Sequence, residues 1–259
     1  MAEPSEHAAY IRSGHPDARL DHLDGVVLVY QNSLLRRAQA TYQLQPLPRW
    51  CSADLFEPRR SEARVAVCGG LGPGGAPGTA LVVEQLIALG ARAIATVGTA
   101  ATLRTTLSPG DLVIADRALR DEGTSHHYLP LGRYTHADAT LTAHLTEALT
   151  VGTDRRTVTG GTWTTDALYR ETEAEVAHYA ACGLLTADME AAAVFAVACH
   201  RAVPATAGFA VADSLADRRP RTGDHMINSG LDHLLAAALL ALTRNGAGSR
   251  GHYDGPSSA

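Results

Sequence analysis

Two carboxylates in the second half of the chain sit where a carboxylate is costly to place. Glu190 lies in Ala187-Asp188-Met189-Glu190-Ala191-Ala192-Ala193, after a short apolar stretch and before an alanine-rich run. Asp213 ends the apolar stretch that finishes Val211-Ala212-Asp213. An acid in such surroundings must be paired, hydrogen-bonded or used. The pattern predicts Glu190 at the start of a helix and Asp213 at the end of a strand. Side by side, one could hold a polyol, because a carboxylate accepts from two hydroxyls at once, and the other could hold and donate a proton. The plain alternatives are a helix N-terminal acid favoured by the helix dipole for Glu190 and a turn-capping acid for Asp213.

The elements that must deliver these groups alternate. Strand patterns at 26–30, 65–68, 93–97, 112–115, 184–187 and 205–211 interleave with helical patterns at 33–42, 79–89, 141–150, 171–181, 189–201 and 225–242. That order predicts an α/β fold, a single domain with a central mixed β-sheet flanked by helices. Sites in such sheets gather at the carboxyl ends of strands, and Gly70, Gly98, Glu190 and Asp213 each fall just after a predicted strand. Residues 21–245 form the expected domain. Residues 1–20 and 246–259 are polar and small, and are expected to be poorly ordered.

Composition narrows the chemistry. The 259 residues carry a net charge of −5, which argues against nucleic-acid and anionic-membrane partners. No apolar run approaches the roughly 18 residues of a membrane span, and the N-terminus lacks a basic-then-apolar leader. Cys51, Cys68, Cys182 and Cys199 have no paired or metal-ligand spacing, as expected of thiols in the reducing cytoplasm. All 22 Lys+Arg positions are arginine, so Schiff-base and phosphate-loop lysines are excluded. The glycine-rich loop 69–78 permits close backbone approach to an anion, but Pro73 and Pro77 interrupt it, and it is not a dinucleotide fingerprint. His126-His127 would point to opposite faces of an extended segment. Neither a metal nor a redox cofactor is expected.

Several segments, in this order, resemble the nucleoside phosphorylase superfamily, which includes purine nucleoside and uridine phosphorylases and hydrolase relatives. They are Gly70-Leu71-Gly72-Pro73-Gly74, Val97-Gly98-Thr99, Gly110-Asp111-Leu112-Val113, Glu122-Gly123-Thr124-Ser125, Thr164-Thr165-Asp166-Ala167-Leu168-Tyr169, Asp188-Met189-Glu190 and Asp213. The resemblance runs from about Gly25 to Leu242. It implies that Glu190 is catalytic and binds ribose beside Met189, and that Asp213 protonates N7 of a leaving purine. It places phosphate at Arg36, Gly70 and Thr99, and the base among Ala100, Ala101, Leu168, Ala187, Asp188 and Asp213. Trp163 or Tyr169 are candidates for stacking on the base, with core packing as the alternative.

The chain departs from the family pattern at three points. Asn32-Ser33-Leu34 replaces a Gly-Asp-Pro segment ahead of Arg36, Thr96 stands where phosphorolytic relatives usually carry arginine, and Ala212 replaces a serine before Asp213. A threonine offers phosphate one neutral hydrogen bond, whereas arginine offers a charged, bidentate partner. Arg49, Arg117 and Arg120 are possible substitutes; Arg218, Arg219 and Arg221 are close enough in sequence to engage Asp213. The resemblance implies phosphorolysis of a ribonucleoside, purine favoured over uridine, with phosphate as co-substrate, in a homo-oligomer that is dimer-based and often hexameric. The alternatives are a nucleoside N-ribohydrolase using water and a nucleoside-binding or specialised biosynthetic homologue with little phosphorolysis.

Overall fold

The computed structural model describes residues 3–59, 64–72, 74–220 and 222–250. The chain begins with α1 (Pro4–Gly14), β1 (Gly25–Val29), α2 (Asn32–Thr41), β2 (Leu44–Pro46), β3 (Asp54–Pro58), β4 (Val65–Gly69) and α3 (Gly75–Ala88). It continues with β5 (Ile94–Thr102), β6 (Leu112–Asp121), β7 (Tyr134–His136), α4 (Ala139–Gly152), β8 (Thr157–Thr165) and α5 (Glu173–Ala181). The last elements are β9 (Leu184–Asp188), α6 (Ala191–His200), β10 (Ala205–Ser214) and α7 (Asp224–Arg250). Short 3-10 turns cover Ser125–His127 and Leu168–Arg170.

The strands form one mixed sheet in the order β10-β6-β8-β9-β5-β1-β4-β3-β2, with β7 on β6 and a further pairing of β10 with β5. The last pairing closes β5, β9, β8, β6 and β10 into a ring, which removes the open edges those strands would otherwise present. The pivot is β5. Its first half pairs in parallel with β1, Val26 on Ile94 through Val29 on Val97. Its end pairs antiparallel with β9, Ala101 on Ala187 and Thr102 on Thr186. Between these registers β1 and β9 diverge, and strand divergence at carboxyl ends opens a crevice.

Helices cover both faces. The alanine-rich α6 buries every residue from Ala191 to Ala198 and packs on α3, β6 and β10; small side chains allow that close approach. On the other face, α7 packs against α4, β5 and β10. Its segment Asp224–Ala247 is long and apolar enough to cross a membrane, at a mean hydropathy of 1.3, which the sequence reading did not anticipate. Here Ile227, Leu231, Leu234, Leu235, Ala238 and Leu242 are core residues.

Three differences from the sequence reading have physical causes. Within the N-terminal segment expected to be poorly ordered, Pro4–Gly14 is helical and docks on α3. Its apolar content is low, and tertiary contacts hold it: Ala8 is buried, Arg12 donates to the carbonyls of Ala18 and Ala88, and His7 meets the Trp50 carbonyl at 3.1 Å. At the other end α7 continues past 242 to Arg250, and 251–259 lie outside the described residues. Strand β8, Thr-Val-Thr-Gly-Gly-Thr-Trp-Thr-Thr, has no apolar run. Its β-branched threonines suit a strand, and their hydroxyls are used at the site.

Candidate active site

The crevice at the carboxyl ends of β1, β5, β9 and β10 is a pocket of about 310 Å³ lined by Tyr30, Gln31, Thr99, Ala100, Ala101, Leu168, Glu171, Ala187, Asp188, Met189, Glu190, Ala212 and Asp213. Eight of the expected site residues therefore meet: Glu190, Met189, Asp213, Thr99, Ala100, Ala101, Leu168 and Ala187. Asp188 joins them with a different task. Arg36 and Gly70 do not line the pocket.

Glu190 is aimed by Asp188. One Asp188 oxygen, Oδ2, accepts from the backbone N–H of Glu190 at 2.9 Å and of Ala191 at 2.6 Å. The other, Oδ1, accepts from the hydroxyls of Thr162 at 3.1 Å and Thr164 at 2.8 Å. Thr164 Oγ1 in turn accepts from Ala192 N–H at 3.0 Å. The first amides of α6, which have no partners inside the helix, are thus satisfied by Asp188 and Thr164. The Glu190 side chain caps nothing and is left to face the pocket. Asp188 is a positioning residue here rather than the base contact expected from the sequence.

Burial, and then the neighbouring Asp188, push the Glu190 carboxyl up to about 8. Burial raises Asp188 too, against the pull of its four hydrogen bonds. Asp213 follows a β-bulge. The register with β5 shifts between Val211 and Asp213, with Val211 on Ala100 and Asp213 on Ala101. A bulge re-aims the side chain that follows it. Glu171 lines the same pocket, and burial and then Asp213 push its carboxyl up to about 7. The pocket therefore holds two electrostatically linked carboxyl pairs, Glu190 with Asp188 and Asp213 with Glu171, among the small side chains of Ala100, Ala101 and Ala187.

Glu190 also carries a stability prediction. Its folded value lies above the ordinary value of 4.5, so the folded state keeps a proton that the unfolded chain releases. Stability from this group is fully present below about pH 4.5 and falls until about pH 8. Glu190→Gln has no such proton. Its stability should rise relative to the parent across that window, by a difference on the order of 2 kcal/mol at pH 8.5 after screening by pocket water. Thermal unfolding of both proteins at pH 5 and 8.5 reads this directly; an unchanged gap would contradict it.

The third part of the pocket is the end of β1. Gln31 Nε2 donates to Thr99 Oγ1 at 3.0 Å, which leaves the Thr99 hydroxyl proton for a ligand, while Gln31 Oε1 is buried without a partner. Tyr30 packs on β5 with its hydroxyl buried, and a Cβ on Gly98 would stand 2.9 Å from its ring. Its hydroxyl lies beside Thr79 and Thr96 without a well-formed hydrogen bond, and burial followed by Glu190 raises it well above the usual phenol value. Thr96, which stands where phosphorolytic relatives usually carry arginine, is itself buried.

Among the described residues, none of the arginines considered for an anion lines the pocket. Arg36 is exposed on α2, and Arg49 is exposed before β3. Arg117 pairs with Asp116 at 3.2 Å. The buried Arg120 donates to Ser125 Oγ and to the carbonyls of Ser125, Leu129, Pro130 and Gly132, which ties down the loop after β6. Arg218 pairs with Glu173 and Arg219 with Asp217, and Arg221 lies outside the described residues. Gly70 has φ +70, and a Cβ there would meet Asp54 Oδ2 at 2.6 Å, so its glycine serves the turn. Trp163 is core, bonded to Asp121 at 2.8 Å and packed on Tyr179; Tyr169 is exposed. Among the described residues no group of His, Cys, Asp and Glu has metal-binding geometry.

Sequence reasoning missed Glu171, Tyr30 and Gln31 as pocket residues. The patterns place Tyr30 at the end of a strand and Glu171 at the start of a helix, but a position at an element end does not say which pocket it reaches.

Residues 60–244 match the family model of the phosphorylase superfamily. A guanosine phosphorylase of Halorubrum lacusprofundi is 32% identical over 133 residues, which cover 51% of this chain and 55% of that protein. A uridine phosphorylase of Treponema pallidum is 34% identical over 140 residues, 50% of this chain and 54% of that protein. The chain thus spans about half the length of the curated relatives it matches. In fold it is similar to the Toxoplasma gondii purine nucleoside phosphorylase in complex with immucillin-H, with a TM-score of 0.75 and 23% identity over 86% of this chain and 93% of that one. It is similar as well to the Vibrio fischeri uridine phosphorylase, with a TM-score of 0.72 and 22% identity over 87% and 93%. The family match contains β5, β9, β10 and both carboxylates that first marked the sequence, and by it this chain belongs to the phosphorylase superfamily.

Proposed function

We propose that this chain cleaves the N-glycosidic bond of a purine ribonucleoside by phosphorolysis, giving free base and ribose 1-phosphate. The observation that carries the reading is that Glu190 and Asp213 line one pocket. Glu190 accepts hydrogen bonds from ribose hydroxyls and stabilises the positive charge that grows at C1′. As the C1′–N9 bond breaks, its electron pair passes to the base, and Asp213 gives a proton to N7. A phosphate oxygen forms the new bond to C1′, with the Thr99 hydroxyl donating to phosphate. Met189 packs on the sugar, and Ala100, Ala101, Leu168 and Ala187 flank the base. Burial and Asp188 push the Glu190 carboxyl up to about 8, which lessens its repulsion of phosphate. No resident cofactor is required. A cytoplasmic homo-oligomer is part of the same proposal.

A second reading, hydrolysis by water, is favoured by one observation. The pocket holds four carboxyls and, among the described residues, no arginine or histidine. The end of β1 that would meet the nucleophile also lies outside residues 60–244. The experiment is incubation with purine and pyrimidine nucleosides, with and without phosphate. Base plus ribose 1-phosphate, only with phosphate, is the expected result. Base plus free ribose regardless of phosphate would replace it with the hydrolase. Binding without product would leave a nucleoside-binding homologue.

A further inference from the structure

Glu171 is a pocket carboxyl to which the proposed reaction gives no task. It follows the 3-10 turn Leu168–Arg170 and precedes α5. Its neighbour Thr172 is fixed by a reciprocal cap: Glu175 N–H donates to Thr172 Oγ1 at 3.2 Å, and Thr172 N–H donates to Glu175 Oε2 at 2.9 Å. That cap holds the Glu171 backbone at the pocket wall. Its side chain is half-buried, lines the pocket with Leu168 and Asp213, and lies close enough to Asp213 to feel its charge.

We propose that Glu171 is a specificity residue that reads the substituent at C6 of a purine whose N7 is held by Asp213. The inference rests on the purine reading above. N7 and the C6 substituent share one edge of the purine. An acid placed beside Asp213 at the base end therefore meets the C6 group. An ionised Glu171 accepts from a 6-amino group and repels a 6-oxo oxygen. A neutral Glu171 donates to the 6-oxo oxygen, which the amino group cannot accept. The walls around this edge, Ala101, Leu168 and Ala212, offer no competing side-chain hydrogen bond.

The exchange between the two states falls in the neutral range, since burial, Asp213 and then Glu175 push Glu171 up to about 7. The charged groups around it come from three elements. Asp213 stands on β10, Glu175 on α5, and Asp188 and Glu190 line the same pocket. The nearby cations Arg218 and Arg219 pair with Glu173 at 3.1 Å and Asp217 at 2.6 Å. Raising the pH through 7 thus moves preference from 6-oxopurine towards 6-aminopurine.

The test is the binding of adenine and of hypoxanthine to the full chain, measured by calorimetry between pH 6 and 8, for the parent and for Glu171→Gln. A charged hydrogen bond gained by one base and lost by the other predicts that the adenine-to-hypoxanthine affinity ratio rises about tenfold in the parent. Glutamine keeps its donor and acceptor at every pH, so the variant's ratio should stay flat. Thermal unfolding checks that the variant is folded. A flat ratio in the parent, or an equal rise in the variant, overturns the role of Glu171. Purine nucleosides cleaved with that flat ratio would leave the proposed reaction standing. Failure of both bases to bind would reject both readings.

Discussion

Replacing Glu190 with alanine is expected to lower kcat/KM for the nucleoside substrate by about 10³, because the lost group acts on charge that exists only in the transition state. As the glycosidic bond breaks, positive charge builds on the ribose ring, and the ionised carboxylate sits against it. Ribose hydroxyls that donate to Glu190 favour its ionised form over the neutral form of the empty pocket. Glu190→Gln keeps an acceptor for one hydroxyl but not the charge. It should recover part of the KM and little of the kcat. The loss must also be separable from unfolding. Both variants should fold at pH 7, since each removes a buried acid that the native state holds up to about 8. Steady-state kinetics together with melting curves settle the point. Retention of more than a tenth of the parental kcat/KM by Glu190→Ala would exclude this role.

Asp188→Ala should be the most destabilising single substitution at the site. Its carboxylate is buried and holds four donors, the amides of Glu190 and Ala191 and the hydroxyls of Thr162 and Thr164. Alanine would strand two backbone amides at the start of a fully packed helix. Removing one member of a buried, charged hydrogen-bond network costs about 3–5 kcal/mol. Burial also raises the Asp188 carboxyl, which tempers the loss. Turnover should fall with stability, because Glu190 would lose the amide anchor that sets its direction. Asp188→Asn keeps one acceptor oxygen and should recover part of both. Urea unfolding measures the first effect and kcat at a fixed folded fraction the second. A change under 1 kcal/mol would mean that water replaces the carboxylate, and would withdraw the positioning role.

Much of the site was legible because strand and helix patterns fix what each residue's neighbours along the chain do. The apolar runs before Glu190 and Asp213 marked both as carboxylates at element ends, and both reached the pocket. Ala100, Ala101, Leu168 and Ala187 were expected from the family resemblance, not from the pattern, and they line the pocket too. The expected phosphate contacts fared differently. Thr99 lines the pocket, whereas Arg36 is exposed and Gly70 sits against Asp54. Spacing says that an arginine lies on the helix after a strand. The rotation and docking of that helix decide which way it faces.

What the sequence by itself determined was the alternation of strands and helices, the absence of lysine chemistry, and two acids delivered to strand and helix ends. These depend on composition and on periods of two and 3.6 residues, which are local. The tertiary structure alone decided that Asp188, bonded through β8, aims Glu190; that Glu171 shares a pocket with Asp213; and that the Tyr30 hydroxyl lies beside Thr96. The first two depend on the closing of β5, β9, β8, β6 and β10 into a ring, and the third on the pairing of β1 with β5. No local pattern encodes that closure, and the burial that raises Glu190 and Glu171 exists only once the ring is formed.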